Sequence, residues 1–164
     1  MGQIKTTDKK YIFLDIDGVL NSEEWHQYYW DNDLQYTPYD TEIDYRAARM
    51  MCELVNKTGA EIVISSSWRT DMNEVRRRLH NSGLKCPIEL RIEGYEFSES
   101  DKHPTRGELI ERFLSTHPCS TYVIFDDEND MTDEQKDGHF VKTKWKTGIT
   151  KKDISTAERI LSKC

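Results

Sequence analysis

Three short, densely apolar runs, over residues 10–14, 61–65 and 121–125, constrain the fold of this chain more than any other feature. Each run stops at polar or turn-forming residues. Short runs of apolar and β-branched residues that end in this way are typical of buried strands. The sequence therefore predicts three buried strands, each followed directly by polar side chains.

Segments with the apolar periodicity of helices lie between and after these runs. Apolar residues recur at helical spacing over 42–57, and Gly59 follows as a C-terminal cap. The same reasoning predicts further helices over about 70–81, 105–115 and 151–163, and weaker strands over 87–92 and 139–143. Strands that alternate with helices at these lengths favour an α/β fold, in which helices cover both faces of a mostly parallel sheet.

Two polar segments interrupt this alternation. Residues 22–41 carry six aromatic side chains without one period over their whole length, and we expect an insert or flap that is helical near 23–30. Residues 96–104 are expected to form a loop. A chain of 164 residues fits one domain, 1–164, with 22–41 as its flap, and leaves no room for a large second domain.

The composition narrows the class of protein. No apolar stretch approaches the roughly 20 residues that cross a bilayer, and the N-terminus lacks the apolar centre of a signal peptide, so we expect a soluble cytoplasmic protein. The four cysteines form no CxxC pair and are expected to be reduced. A net charge of -7 argues against a large sequence-independent nucleic-acid surface but allows a nucleic-acid end or a nucleotide. Nothing in the sequence indicates an obligatory protein partner.

The polar residues that follow the three strands are expected to meet in one crevice. Asp15 and Asp17 follow the first strand, and the acidic segment 126–130 follows the third. The second strand leads into the serines 65–67 and Arg69. Because open parallel sheets bind ligands beyond the carboxyl ends of their strands, these side chains are candidates for one site.

Two carboxylates that are one residue apart can divide the steps of a phosphoryl transfer between them. Gly18 lets the chain turn so that Asp15 and Asp17 point the same way. One carboxylate can attack phosphorus, while the other donates a proton to the leaving oxygen and then activates water. Several carboxylates together would repel a phosphate unless a cation lay between them. Mg²⁺ suits this position because it binds a few carboxylates together with water and substrate oxygens.

The segment 11–21, YIFLDIDGVLN, resembles the DxDG[VT]L signature of the haloacid dehalogenase (HAD) phosphohydrolase superfamily. Three later segments resemble the remaining motifs of that superfamily in the same order: IVISSSWR, TRGELIERFL and YVIFDDEND. Four motifs in order are far more specific than DxDG alone, which also occurs in calcium loops. The resemblance covers most of the chain and implies a HAD-like Rossmannoid three-layer sandwich.

The resemblance also implies a role for the acidic residues. Asp15 would be the nucleophile that forms an aspartyl-phosphate, and Asp17 would be the general acid and base. The Mg²⁺ site would consist of Asp15, the backbone carbonyl of Asp17 and Asp127, with Asp126 or Asp130 completing it.

The resemblance further implies which residues contact the phosphoryl group. A serine of the second motif would donate a hydrogen bond to it; Ser65 ends the strand, and Ser66 and Ser67 are alternatives. Arg106 occupies the position of a Lys or Arg that stabilises phosphoryl charge, where Lys is more usual. Arg69 has two interpretations, since it can contact the substrate or fasten the second motif.

The combination of DIDGVLN, SSSWR and TRG most resembles a small HAD-like group associated with RNA-repair proteins. More distantly, it resembles the phosphatase part of polynucleotide kinase-phosphatases. This resemblance implies a Mg²⁺-dependent phosphomonoester hydrolase, with Gly18 beside the substrate. The implied substrate is a phosphorylated small molecule or the 3'- or 5'-phosphate end of a nucleic acid. The short span between the first two motifs leaves room for a flap but not for a cap domain. The alternative function is a non-catalytic module that binds phosphate, nucleotides or nucleic acid.

The aromatic residues of the insert also allow two interpretations. Trp25, Tyr28, Tyr29 and Trp30 can stack on a nucleobase or pack the flap onto the body of the domain. Their spacing of one helical turn favours packing.

Overall fold

The computed structural model of this protein describes residues 7–34, 42–95 and 103–163. Within these ranges, strands alternate with helices, as the periodicity predicts. Parts of two predicted segments, residues 35–41 of the insert and residues 96–102 of the polar loop, lie outside the described residues.

The secondary structure follows the predicted order. The strands are β1 (Lys10–Leu14), β2 (Glu61–Ile64), β3 (Leu90–Arg91), β4 (Thr121–Asp126) and β5 (Phe140–Lys142). The α-helices are α1 (Glu23–Asp31), α2 (Tyr45–Thr58), α3 (Met72–Asn81), α4 (Arg106–Thr116), α5 (Asp133–Lys136) and α6 (Lys151–Leu161). A 3-10 turn over Ser67–Thr70 follows β2.

The described strands form one parallel sheet in the order β3-β2-β1-β4-β5. In the central strand, Leu14 lies opposite Ile64 on one side and Phe125 on the other. The chain runs outward from β1 to β3, then crosses back to β4 on the other side of β1. A crevice opens at such a reversal of strand order, beyond the carboxyl ends of the two strands. Asp15, which directly follows β1, therefore lies at the place where this fold binds ligands.

Helices cover both faces of the sheet, as a three-layer sandwich requires. Ile12 and Leu14 of β1 belong to a large apolar cluster with side chains of α2, α3 and α6. Tyr11 and Phe13 belong to a second cluster, in which Phe13 packs edge-to-face on Phe113 of α4 at a centroid distance of 5.5 Å. Alternate residues of β1 thus face opposite layers. The fold is the three-layer α/β sandwich, with a parallel sheet, that the motifs implied.

Some elements differ in extent from their predictions. Only Leu90–Arg91 of the predicted strand 87–92 pairs with β2. Pro87 lacks the amide hydrogen that a sheet ladder needs, which removes the start of that strand. The helix predicted from residue 42 begins at Tyr45, because the Asp44 side chain accepts the amide of Arg46 as an N-cap. The 3-10 turn and the four-residue α5 were not predicted, since they are too short to show a period.

The insert is helical where the sequence predicts it. The Ser22 hydroxyl caps α1 by accepting the amide of Trp25 at 3.0 Å. Trp25 and Tyr29 are buried, and Trp25 packs edge-to-face on Tyr45. Trp30 is 64% exposed. Packing onto the body of the domain is therefore confirmed for Trp25.

Two findings bear on the expectations from composition. None of the described helices is long and apolar enough to cross a membrane. Cys52, Cys86 and Cys119 are free cysteines, which agrees with the predicted absence of disulfides for these three residues.

Candidate active site

Three aspartates meet at the carboxyl ends of β1 and β4. One carboxylate oxygen from each of Asp15, Asp126 and Asp127 lies within 4.8 Å of the others. The parallel register that sets Leu14 opposite Phe125 places Asp15 and Asp126 side by side. Asp15 and Asp126 are buried, and Asp127 is half-buried. Three carboxylates at this spacing repel one another strongly unless positive charge lies between them.

Arg106 supplies positive charge to this cluster. Its Nη1 lies 3.2 Å from Oδ1 of Asp15 and 2.7 Å from Oδ2 of Asp126. Arg106 is the first residue of α4, and a capping box between Thr105 and Glu108 stabilises that helix end. The guanidinium therefore reaches the end of the sheet from a rigid helix terminus.

Asp130 holds this helix terminus in place. Its Oδ2 accepts the Arg106 amide at 3.2 Å, and its carbonyl accepts the Gly107 amide at 3.2 Å. Gly107 permits the close approach, because a Cβ there would lie 2.9 Å from the Cα of Met131. Among the described residues, the cluster with metal-ligand spacing consists of Asp15, Asp126 and Asp127 and does not include Asp130. The contacts of Asp130 support a positioning role, and its metal contact stays a prediction.

Burial and mutual repulsion determine the protonation of the cluster. Burial, with added repulsion from Asp126, raises the pKa of Asp15 to about 8 against the attraction of Arg106. Burial also raises the pKa of Asp126 and the pKa of Asp127. A divalent cation among these oxygens favours the charged form of every carboxylate. A carboxyl group can attack an electrophile only in that charged form.

The spacing of the cluster fits a small divalent cation. Mg²⁺ binds oxygens at 2.0–2.1 Å, so two ligands on opposite sides of the ion are roughly 4.2 Å apart. The separations within 4.8 Å among the three carboxylates are close to that geometry. Carboxylate oxygens are also the donors that Mg²⁺ prefers. The residues present therefore suit the cation that the motifs implied.

Asp17 lies beside the cluster, on the exposed side of the same loop. Its Oδ1 accepts Nδ2 of Asn21 at 2.8 Å, and its Oδ2 accepts Nε1 of Trp68 at 3.0 Å. Asn21 also accepts the Gly18 amide through Oδ1 at 2.9 Å. The side chains of Asp15 and Asp17 thus differ in environment, since Asp15 is buried against Arg106 and Asp17 is held by two neutral donors. Sequence reasoning quoted Asn21 and Trp68 within motifs but assigned them no role.

Gly18 is required by both the shape of the turn and the space around it. Its φ is +79°, in the left-handed region that favours glycine. A Cβ at this position would lie 2.3 Å from Oδ2 of Asp127. The Gly18 carbonyl also accepts the hydroxyl of Thr143 at 2.7 Å, which ties the turn to the residue after β5. Gly18 therefore allows the first and fourth motifs to approach each other.

The three serines of the second motif have different environments. Ser65 is fully buried, and its Oγ has no hydrogen-bond partner among the described residues. Its amide donates to the carbonyl of Leu14, the residue before Asp15. Ser66 uses its Oγ to accept the Trp68 amide at 3.2 Å, and Ser67 is exposed. Of the three alternatives, Ser65 is the one whose hydroxyl is buried without a partner among the described residues.

Arg69 is buried beneath the same loop. Its Nη1 donates to the carbonyls of Ser65 and Ser66 at 3.1 and 3.0 Å, and its Nη2 donates to the Gly94 carbonyl at 2.6 Å. The ring of Tyr95 lies against the guanidinium at 5.1 Å. Of the two interpretations of Arg69, these contacts support the one in which it fastens the second motif. The guanidinium of Arg69 fastens the loop by donating to backbone carbonyls.

The parallel sheet has a buried aspartate after its central strand and an acidic pair at the end of the neighbouring strand. An arginine reaches the aspartates of both strands, as the four motifs implied. A family model described as the HAD domain in Swiss Army Knife RNA repair proteins matches residues 11–154, and the chain belongs to this family. The match confirms both the superfamily and the RNA-repair group that the motifs resembled. No match was found among curated proteins or among solved structures.

Proposed function

We propose that this protein is a Mg²⁺-dependent phosphomonoester hydrolase that acts through an aspartyl-phosphate on Asp15. One observation carries the proposal. The guanidinium of Arg106 lies 3.2 Å from Asp15, and Ser65, whose buried hydroxyl has no partner among the described residues, donates its amide to the residue before Asp15. A phosphoryl group at this position would meet a nucleophile, a hydrogen-bond donor and a positive charge together.

In the proposed mechanism, Ser65 and Arg106 hold the phosphoryl oxygens while Asp15 attacks phosphorus. The bond to the leaving oxygen breaks, and Asp17 donates a proton to that oxygen. Asp17 then removes a proton from water, which attacks the phosphorus of the aspartyl-phosphate. Inorganic phosphate leaves, and Asp15 regains its free carboxylate.

The proposed Mg²⁺ ligands are the carboxylates of Asp15 and Asp127, with Asp126 beside them and the carbonyl of Asp17. Bound Mg²⁺ would neutralise phosphoryl charge and favour the charged form of the carboxylates. Asp130 is left out of this set because its carboxylate accepts the amide of Arg106.

The proposed substrate is a nucleotide or the 3'- or 5'-phosphate end of a nucleic acid. The family description, which places the HAD domain in RNA repair proteins, supports this substrate class. We further propose that the chain is a single domain with a flap over 22–41 and without a cap domain. Such a site would admit the end of a polymer as readily as a mononucleotide.

The test is Mg²⁺-dependent phosphate release from a panel of sugar phosphates, mononucleotides, and DNA and RNA with 3'- or 5'-phosphates. The Asp15→Asn variant should release no phosphate, because it lacks the nucleophile. Asp133→Asn, which changes an exposed aspartate of α5, is the matched control and should retain full activity. Unchanged turnover by Asp15→Asn would exclude the mechanism. Binding of phosphorylated ligands without release by the unmodified protein would support the non-catalytic alternative.

A further inference from the structure

A hydrogen bond between Trp68 and Asp17 joins the second motif to the first. The indole Nε1 of Trp68 donates to Oδ2 of Asp17 at 3.0 Å, across 51 positions of sequence. The amide of Asn21 donates to the other oxygen, Oδ1, at 2.8 Å. Two donors on the two oxygens fix both the position and the plane of the Asp17 carboxyl group.

Trp68 is itself held from several directions. Its amide donates to Oγ of Ser66, and its carbonyl accepts the amide of Asp71, within the 3-10 turn. The guanidinium of Arg78, from α3, lies over its ring at 5.2 Å. The main-chain contacts fix the backbone of Trp68, and the guanidinium contact and the hydrogen bond to Asp17 hold its side chain, so that the indole can act as a positioned donor.

The loop that carries Trp68 also carries Ser65. Arg69 fastens this loop through the carbonyls of Ser65 and Ser66. One rigid segment thus places the proposed phosphoryl-binding hydroxyl and the donor to Asp17. The loop thus links the Asp17 carboxyl group to the hydroxyl that is proposed to bind the phosphoryl group.

We propose that Trp68 is a positioning residue that holds the Asp17 carboxyl group against the leaving oxygen of the substrate. This inference rests on the proposed function, in which Asp17 transfers the proton. Loss of the indole N–H leaves the chemistry at Asp15 intact but lets the Asp17 carboxyl group rotate away from the leaving oxygen. Substrates whose leaving oxygen needs a proton are then affected most.

The test compares two substrates on each protein at one pH. p-Nitrophenyl phosphate has a leaving oxygen that departs as a stable anion, whereas a nucleoside monophosphate has an alkoxide leaving group that needs a proton. The Trp68→Phe variant keeps an aromatic ring but loses the N–H donor. The quantity compared is kcat/KM, which covers the steps up to departure of the leaving group and leaves out the later attack of water, in which Asp17 serves both substrates alike. General acid catalysis contributes about 10²–10⁴-fold, so we expect kcat/KM for the nucleoside monophosphate to fall ~10–100-fold and kcat/KM for p-nitrophenyl phosphate to fall less than ~3-fold.

Three variants complete the design. Asp17→Asn removes the proton donor. It should lower kcat/KM for the nucleoside monophosphate, relative to p-nitrophenyl phosphate, by more than Trp68→Phe does. Trp145→Phe makes the same chemical change at a tryptophan that is 46% exposed and contacts His26, and it should change neither rate. Asp15→Asn should abolish both reactions. Because both rates are measured on one preparation, an unfolded fraction of Trp68→Phe cancels from their ratio.

The outcomes separate this inference from the proposed function. An equal fall in kcat/KM for both substrates in Trp68→Phe, together with a clear difference between them in Asp17→Asn, would overturn the role of Trp68 alone and leave it a packing residue. Activity that survives Asp15→Asn would overturn the proposed function, and the inference with it. A fall in kcat/KM that is confined to the nucleoside monophosphate, in both Asp17→Asn and Trp68→Phe, would support the inference.

Discussion

Replacing Asp15 by Asn should stabilise the metal-free protein, and the gain should depend on pH. Burial, with repulsion from Asp126, raises the pKa of Asp15 from 3.8 to about 8. The folded state therefore holds this carboxyl group protonated over a pH range in which the unfolded chain ionises it. When folding raises the pKa of a group, its contribution to the free energy of unfolding is fully present at a pH below the pKa of the unfolded state. That contribution is lost as the pH rises through the pKa of the folded state. The wild-type protein loses this stability between about pH 4 and pH 8.

The size of the effect follows from the pKa values. Each pKa unit corresponds to ~1.4 kcal/mol, and pH 7 lies about three units above the ordinary pKa of an aspartate. The buried carboxyl group thus costs the metal-free folded state roughly 4 kcal/mol at pH 7 and roughly 2 kcal/mol at pH 5. Asparagine has nearly the same shape and no charge to bury. Asp15→Asn should therefore be more stable than the wild type, and the difference should be larger at pH 7 than at pH 5.

Urea unfolding in EDTA at pH 5, 6, 7 and 8 measures this difference, with Asp133→Asn as the control for an exposed aspartate. Saturating Mg²⁺ should shrink the advantage of Asp15→Asn, because the wild type gains binding free energy that the variant lacks. A variant that is less stable than the wild type by the same amount at every pH would refute the reasoning, since it would mean that Asp15 mainly makes stabilising contacts.

Two further changes test the geometry of the site. Gly18→Ala should raise the Mg²⁺ concentration needed for half-maximal activity at least ~10-fold. The added Cβ would lie 2.3 Å from Oδ2 of Asp127 and displace that proposed ligand. An unchanged Mg²⁺ titration would show that Asp127 does not bind the ion. Ser65→Ala should lower kcat/KM ~10–100-fold without lowering Tm, because its Oγ is buried without a partner among the described residues. A lowered Tm with unchanged kinetics would instead show that the hydroxyl serves the fold.

Much of the fold was predictable because its signals are local. The strands are short apolar runs with polar ends, and the helices have apolar periodicity and capping residues within one or two turns of their ends. The rule that ligands bind beyond the carboxyl ends of parallel strands then brought Asp15 and the pair 126–127 together. The described structure confirms that proximity.

Other features depend on side-chain contacts between distant parts of the chain. The donor from Trp68 to Asp17 and the hydrogen bond from the Arg106 amide to Asp130 join residues 51 and 24 positions apart. No spacing rule along the sequence predicts such pairs. The same holds for Arg69, whose burial under its own loop follows from contacts with the Gly94 carbonyl and the Tyr95 ring.

The α/β architecture, the order of the four motifs and the kinds of side chain at the end of the sheet follow from local sequence patterns. The different environments of residues of the same type follow from the folded structure. Asp15 is buried against Arg106, Asp17 is held by neutral donors, and Asp130 anchors a helix. Chemically identical carboxylates differ in this way because burial and hydrogen-bond partners determine their charge and orientation, and neither exists before the chain has folded.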